Sequence, residues 1–307
     1  MRTRRPVDLR LTLGPLQMGG RRDPCVRVTA RDVWRATDTC DGPATMHLRS
    51  VDPLTVEATA WGPGAGRALE SAAPLVGADD DPPPVADAHP LVSSLSHRLP
   101  GLRVGRTNAL MEALVPIVLA QRVIGAEARA AYVALVRAAG REAPRPSRRE
   151  IVDLQLDAPA LLLPPEPQWL MSAPSWRFHR WGVEQRRART IRVAASYAHR
   201  FVDPHGLGLV ETRRRLSALP GVGPWTVNSV AMTALGDPDA VSVGDYWLKH
   251  IVSYALAGEP RGTDERMLEL LEPWRGQRGR VCRLLVHGGP ALPRYGPRLA
   301  LRDLAAH

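Results

Sequence analysis

The stretch ADDDPPPVADAHP, residues 78–90, divides this chain more sharply than any other. Its prolines fix φ and lack the amide hydrogen that a helix or a sheet ladder needs, so neither element runs through it. It reads as a connection. A calcium loop is excluded, because the acids lack the alternating spacing and the closing glutamate that such a loop requires.

The hydrophobic period changes across this break. From Val7 to Trp61 the runs VDLRLTL, CVRVTA, VWRAT, ATMHLRS and LTVEATAW alternate or carry β-branched residues, and the clusters DTCDGP and SVDP separate them. That pattern predicts an antiparallel sheet, followed by a helix near residues 67–75. Beyond Pro90 the period is helical. Leu110, Ala113, Leu114, Ile117 and Val118 share one face of TNALMEALVPIVLAQRVIG. Thr107 or Asn108 could cap that helix, and Pro116 predicts a start or a kink. GAEARAAYVALVRAAG gives an alanine-rich helix closed by Gly140. Further helices fit VEQRRARTIRVAASYAHRF, ETRRRLSAL, PWTVNSVAMTALG, DYWLKHIVSYALAG, TDERMLELLEPW and GRVCRLLVHGG. The expectation is an α+β protein: a β-rich N-terminal domain with a helix over residues 1–90, connection included, and an all-α domain over residues 91–307.

A chain of 307 residues suffices for two domains with real cores. No apolar run approaches the ~20 residues that span a bilayer. The basic start MRTRRPVDLRLTL is interrupted before a signal-peptide core could form, so a cytoplasmic protein without membrane contact is expected. Cys25, Cys40 and Cys282 are scattered and supply no cysteine-only metal or iron–sulfur set, and the histidines lack HExxH spacing. A net charge of +10 favours a polyanionic partner. Lys249 is the only lysine, however, and an arginine bias of this kind can reflect genome composition.

Residues 219–225 read LPGVGPW. ETRRRLSAL runs into this turn, and Pro224 suits the first turn of the next helix, where a missing N–H costs nothing. A helix–glycine turn–helix unit exposes backbone amides beside a positive helix N-terminus, where a phosphate can sit. A tight αα-turn whose glycines serve geometry alone is the alternative. Some twenty residues on, DPDAVSVGDYWLKH places Asp245 at the start of a helix. Asp245 is either a cap or an ionised carboxylate aimed into a cleft, where it would stabilise a sugar cation and orient water as a glycosidic bond breaks.

LPGVGPWTV followed by ALGDPDAVSVGDYWLK resembles the helix-hairpin-helix glycosylase superfamily, and within it the DNA-3-methyladenine glycosylase II (AlkA-type) branch. EALVPIVLAQRVIGAEA resembles the helix that opens the glycosylase core, GVEQRRARTIRVAAS the segment before the hairpin, and the β-rich start that branch's N-terminal domain. The resemblance covers most of the chain and is strongest from about Arg106 to Arg280. It implies an all-α helix-hairpin-helix glycosylase core that flips alkylated bases such as N3-methyladenine out of double-stranded DNA and removes them; a monomer is the default expectation, because repair at one nucleotide needs no symmetry. It gives Asp245 the catalytic position. Gly221, Val222 and Gly223 become amides gripping a backbone phosphate, with Lys249 adding charge and Gln121 and Arg122 near the gap left by the flipped base. Trp225 becomes a candidate wall for a cationic base. Bifunctional members carry a lysine two residues after the hairpin's second glycine; here that residue is Trp225, which predicts base excision without strand cleavage. No metal or organic cofactor is required, although the resemblance suggests a monovalent cation at the hairpin carbonyls.

The departures concern the pocket. Ser229 stands where the branch places a tyrosine, CRLLVHG holds no aromatic where a tryptophan is expected, and the wedge position is Arg122 rather than an apolar side chain. Tyr246, Trp247 and Trp176 are replacement walls or core residues. In EPWRGQRGR, arginines either contact phosphate or belong to a plain loop, and RREI near Arg148 reads as solvated surface. Two other readings stand beside the enzyme: a lesion-binding protein that keeps the hairpin without catalysis, and a helical protein whose hairpin meets a protein or another anionic ligand.

Overall fold

The computed structural model describes residues 1–85, 87–201 and 208–293. Four strands, β1 (Val26–Val28), β2 (Asp32–Thr39), β3 (Gly42–Asp52) and β4 (Thr55–Trp61), form one antiparallel sheet in the order β1-β2-β3-β4. The alternation of β2 explains its two-sided burial. Val33 joins Met46, Leu48 and Val56 in one apolar cluster, while Trp34 and Ala36 join Trp61, Ala143, Leu161 and Leu163 in another. Trp34 stacks on His47 at 4.2 Å and on Trp61 at 5.5 Å.

VDLRLTL is not the strand its alternation suggests. Leu9–Leu13 form helix α1, because the Asp8 carboxylate caps Leu11 N–H at 2.9 Å and Leu9 and Leu13, four residues apart, both enter the sheet's core. The helix expected at residues 67–75 is two short ones, α2 (Ala65–Glu70) and α3 (Ala72–Leu75), separated at Ser71.

The remaining helices are α4 (Pro90–Arg98), α5 (Leu110–Leu119), α6 (Gly125–Ala139), α7 (Arg148–Asp153), α8 (Pro167–Ser172), α9 (Ser175–His179), α10 (Gln185–Ser196), α11 (Leu209–Ser217), α12 (Pro224–Val230), α13 (Leu248–Ala257), α14 (Asp264–Leu271) and α15 (Arg278–Gly288). Their apolar faces make two cores. One gathers α5, α6 and α8–α12 around Leu114, Leu119, Phe178, Ile191 and Val230; the other gathers α4 and α13–α15 around Leu95, Val252, Met267 and Leu285. None of the described helices is long and apolar enough to cross a membrane.

Polar ties fix the sheet to the helices. On the β2 face shared with Val33, Arg35 and Thr37 both donate to Glu112 of α5, at 2.7 and 2.6 Å. Glu150 of α7 accepts the Trp61 indole N–H at 3.0 Å, so the surface reading of RREI misses one internal contact. Part of the Asp-rich connection is equally committed. Asp80 accepts Val104 N–H at 2.8 Å and pairs with the buried Arg280, while Arg278 pairs with Asp239. The arginines of EPWRGQRGR are therefore largely spent on internal carboxylates.

Candidate functional site

The hairpin turn between α11 and α12 rests on α10. Gly221 has φ +85°, and a Cβ there would stand 2.1 Å from Thr190 Oγ1 and clash with it. Only glycine meets both conditions. Its carbonyl accepts Gln121 Nε2 at 2.9 Å, and the same amide donates to Thr226 Oγ1 at 2.9 Å. Gln121 thus pins the turn and the first residues of α12 to the end of α5.

The two flanking residues behave differently. Val222 is buried in the first helical core, and its N–H closes the turn on the Leu219 carbonyl at 3.1 Å, so that amide faces inward. Gly223 is exposed, has ordinary extended dihedrals, and would leave an added Cβ with nothing within 4 Å. Nothing among the described residues requires a glycine there. Beyond it the first N–H groups of α12 have no intrahelical acceptors, as at any helix start.

Asp245 lies in the segment joining α12 to α13. Its N–H donates to the Ser242 carbonyl at 3.0 Å. Its Oδ1 accepts Trp247 N–H and Leu248 N–H, both at 2.9 Å, so the carboxylate caps α13. Its Oδ2 accepts the Trp225 indole N–H at 3.3 Å. Gly244, at φ +91°, donates its N–H to Asp264 Oδ1 at 3.1 Å, and Lys249 Nζ lies 3.8 Å from Asp264 Oδ2. One acid therefore fixes the loop on one side of Asp245 and holds the only lysine on the other.

Beside Asp245 lies a recess of about 210 Å³. Ser242 and Leu248, two of the three residues whose backbones bond Asp245, are in its wall. The rest is mostly aliphatic. Leu13, Pro15 and Leu16 come from the N-terminal region, Met232 and Thr233 from the turn after α12, and Cys282, Arg283, Val286 and His287 from α15. Met232 and Thr233 reach it because Ala231–Leu235 form a π-turn, an insertion often found at functional sites. Burial pushes the Cys282 thiol up to about 12, so it stays neutral. Among the described residues no Phe, Tyr or Trp lines the recess.

The sequence-predicted residues divide accordingly. Asp245, Trp225, Gly221, Gly223 and Gln121 come together. Ser229 reaches the recess indirectly, its hydroxyl 2.9 Å from that of Ser242. Tyr246 is 65% exposed, its ring edge-on to those of Trp247 and His250, and it does not line the recess. Trp247 and Trp176 are each 60% exposed, so core packing explains neither. Arg122 is exposed, with φ +57°, a conformation costly for a residue with a Cβ. Sequence reasoning missed Thr190, Ser242, Asp264 and the recess walls; the β-branched Thr190 amid arginines was the one local signal.

No family model matches the sequence. Over 180 residues the chain is 33% identical to the probable bifunctional transcriptional activator/DNA repair enzyme AlkA of Mycobacterium tuberculosis, in two strains, a match covering 57% of this chain and 34% of those relatives. The chain thus spans about a third of the length of the curated relatives it matches. Its fold is similar to the 3-methyladenine DNA glycosylase of Archaeoglobus fulgidus, with a TM-score of 0.73 at 16% identity, covering 94% of this chain and 97% of that one. It is also similar to the 8-oxoguanine glycosylase/lyase of Clostridium acetobutylicum, with a TM-score of 0.63 at 11% identity, covering 92% and 93%. Fold and hairpin together define a helix-hairpin-helix glycosylase architecture. The sequence match adds that, over those 180 residues, the chain is similar to an AlkA-type DNA repair enzyme.

Proposed function

We propose that this chain is a monofunctional DNA glycosylase that removes alkylated bases from double-stranded DNA, acting as a monomer. The observation that carries the reading is the Asp245 carboxylate, fixed through both oxygens, with its backbone partners Ser242 and Leu248 in the wall of an apolar recess. The names of the relatives support the same chemistry.

A base within a duplex is out of reach, so it is turned out of the stack. The bare backbone at Gly223 and the free first-turn amides of α12 hold a phosphate near the turned-out nucleotide. Arg122, next to Gln121, lies at the edge of the gap left by the base, where its guanidinium can meet a flanking phosphate. An N-alkylated purine carries positive charge and leaves readily, so protonation contributes little. As the bond from C1′ to the base lengthens, its electron pair leaves with the base, which departs neutral. Asp245 stabilises the positive charge developing on the sugar. Water then adds at C1′ and gives its proton to solvent.

Strand cleavage would need an amine at C1′. Trp225 occupies the hairpin position at issue, and Lys249 is engaged with Asp264. A monovalent cation at the hairpin carbonyls remains a proposal. Backbone oxygens of the Leu219 and Gly221 type suit such an ion, but each already accepts one hydrogen bond.

The decisive experiment incubates the protein with methylated duplex DNA and measures free bases by mass spectrometry. Release of 3-methyladenine, without a borohydride-trapped covalent adduct, is expected. No release alongside intact binding to abasic-site DNA would sink the enzymatic reading, and a trapped adduct would sink the monofunctional one.

A further inference from the structure

The only lysine is held by Asp264, and the arginines of α11 are likewise engaged. Arg213 bonds Asp237 and Asn228, and Arg214 and Arg215 share Glu211. The hairpin limb best placed to meet a polyanion therefore has its charge neutralised. The opposite holds on α10. Arg187 is buried and donates to the Leu119 and Gly182 carbonyls, which orients the helix. Thr190 is buried under Gly221, its hydroxyl bonded to the Arg186 carbonyl at 3.1 Å. Arg186, one turn before Thr190 on the same face, and Arg189, its neighbour, are exposed. Among the described residues neither has an ion-pair partner.

We infer that Arg186 and Arg189 of α10, with Arg122 at the end of α5, form a phosphate-binding strip that extends the hairpin's grip along one strand of duplex DNA. Three observations converge on the turn. Gln121, adjacent to Arg122, bonds the Gly221 carbonyl; Thr190, adjacent to Arg189, supports the Gly221 Cα; and all three arginines are exposed and uncompensated. On a helix, i and i+3 side chains start about 5–6 Å apart, so the α10 pair can each take a phosphate of the same strand. The left-handed backbone of Arg122, unusual for a residue with a Cβ, fits a side chain held at a contact. The strip rests on the DNA reading above and names residues that the hairpin motif does not contain.

The test uses the full chain and an undamaged fluorescent duplex, with affinity measured across a salt series. The Arg186→Ala/Arg189→Ala double variant should keep the wild-type melting temperature and weaken binding. Its slope of log affinity against log salt should be shallower by about 0.9 for each arginine. Arg31→Ala/Arg148→Ala removes the same charge from exposed positions by the sheet and should leave the slope unchanged. A double variant with wild-type affinity and slope, or a control pair with an equal loss, would overturn the strip. Wild-type protein that fails to bind any duplex would instead overturn the DNA reading itself.

Discussion

The indole N–H of Trp225 donates to Oδ2 of Asp245 at 3.3 Å, joining the first turn of α12 to the cap of α13. The other oxygen already accepts two backbone amides, so the carboxylate plane is set from both sides. Asp245→Asn removes the charge and keeps an oxygen able to cap. Stability should change by no more than about 0.5 kcal/mol, while base release falls by about 10²-fold or more and duplex affinity stays. Trp225→Phe keeps the ring and loses the N–H; kcat should fall with KM unchanged. Single-turnover release assays with parallel binding curves decide both.

The hairpin glycines separate fold from contact. Gly221→Ala meets Thr190 and a positive φ, and should cost about 1–3 kcal/mol in urea unfolding. Gly223→Ala meets nothing within 4 Å among the described residues. It should unfold like wild type but bind duplex DNA more weakly; unchanged affinity would remove Gly223 from the contact surface.

Val286 borders the recess and is 53% exposed, so a larger ring can be accommodated there. Val286→Trp supplies the missing aromatic wall. A cation–π contact of about 1 kcal/mol should raise kcat/KM for a cationic methylpurine about fivefold relative to a neutral base, measured by competition between the two lesions in one duplex.

Glu112 is the only partner that the sheet's Arg35 and the Thr37 hydroxyl share on α5. Arg35 is nearly fully buried, so Glu112→Ala strands its charge. The variant should lose about 3 kcal/mol of stability, visible as a lower urea midpoint.

Burial beneath Trp34 holds the His47 imidazole below its ordinary value of 6.5, against the opposing pull of Asp32. The folded state therefore disfavours the charged ring. The stability this contributes is present above pH 6.5 and is lost as pH falls through the depressed folded value. His47→Gln should unfold with a flatter pH dependence than wild type between pH 7 and pH 5.

What could be read from the sequence was local. β2 through β4 announce themselves by alternation, and the hairpin and Asp245 each lie in a short run whose chemistry is complete. VDLRLTL misleads because a period of two over seven residues also places Leu9 and Leu13 at i and i+4, and the capping bond from Asp8 decides for the helix. Tyr246 and Trp247 look like core aromatics by type, yet the chain turns both to solvent. The recess was out of reach for a different reason. Leu16, Thr233 and Val286 become neighbours only after the chain has folded back on itself, and no window of sequence contains them together.

That last fact has a consequence for the order of events during synthesis. Arg283 of α15 bonds the Leu11 carbonyl, a contact between residues 272 apart, and both regions wall the same recess. Translation adds residues one at a time, and early segments fold before late ones arrive. The hairpin and Asp245 emerge from the ribosome while the far wall is still unmade. On the proposed reading, a nascent chain could grip a nucleic acid before it could enclose a base, and α15, emerging after the hairpin and Asp245, completes the enclosure.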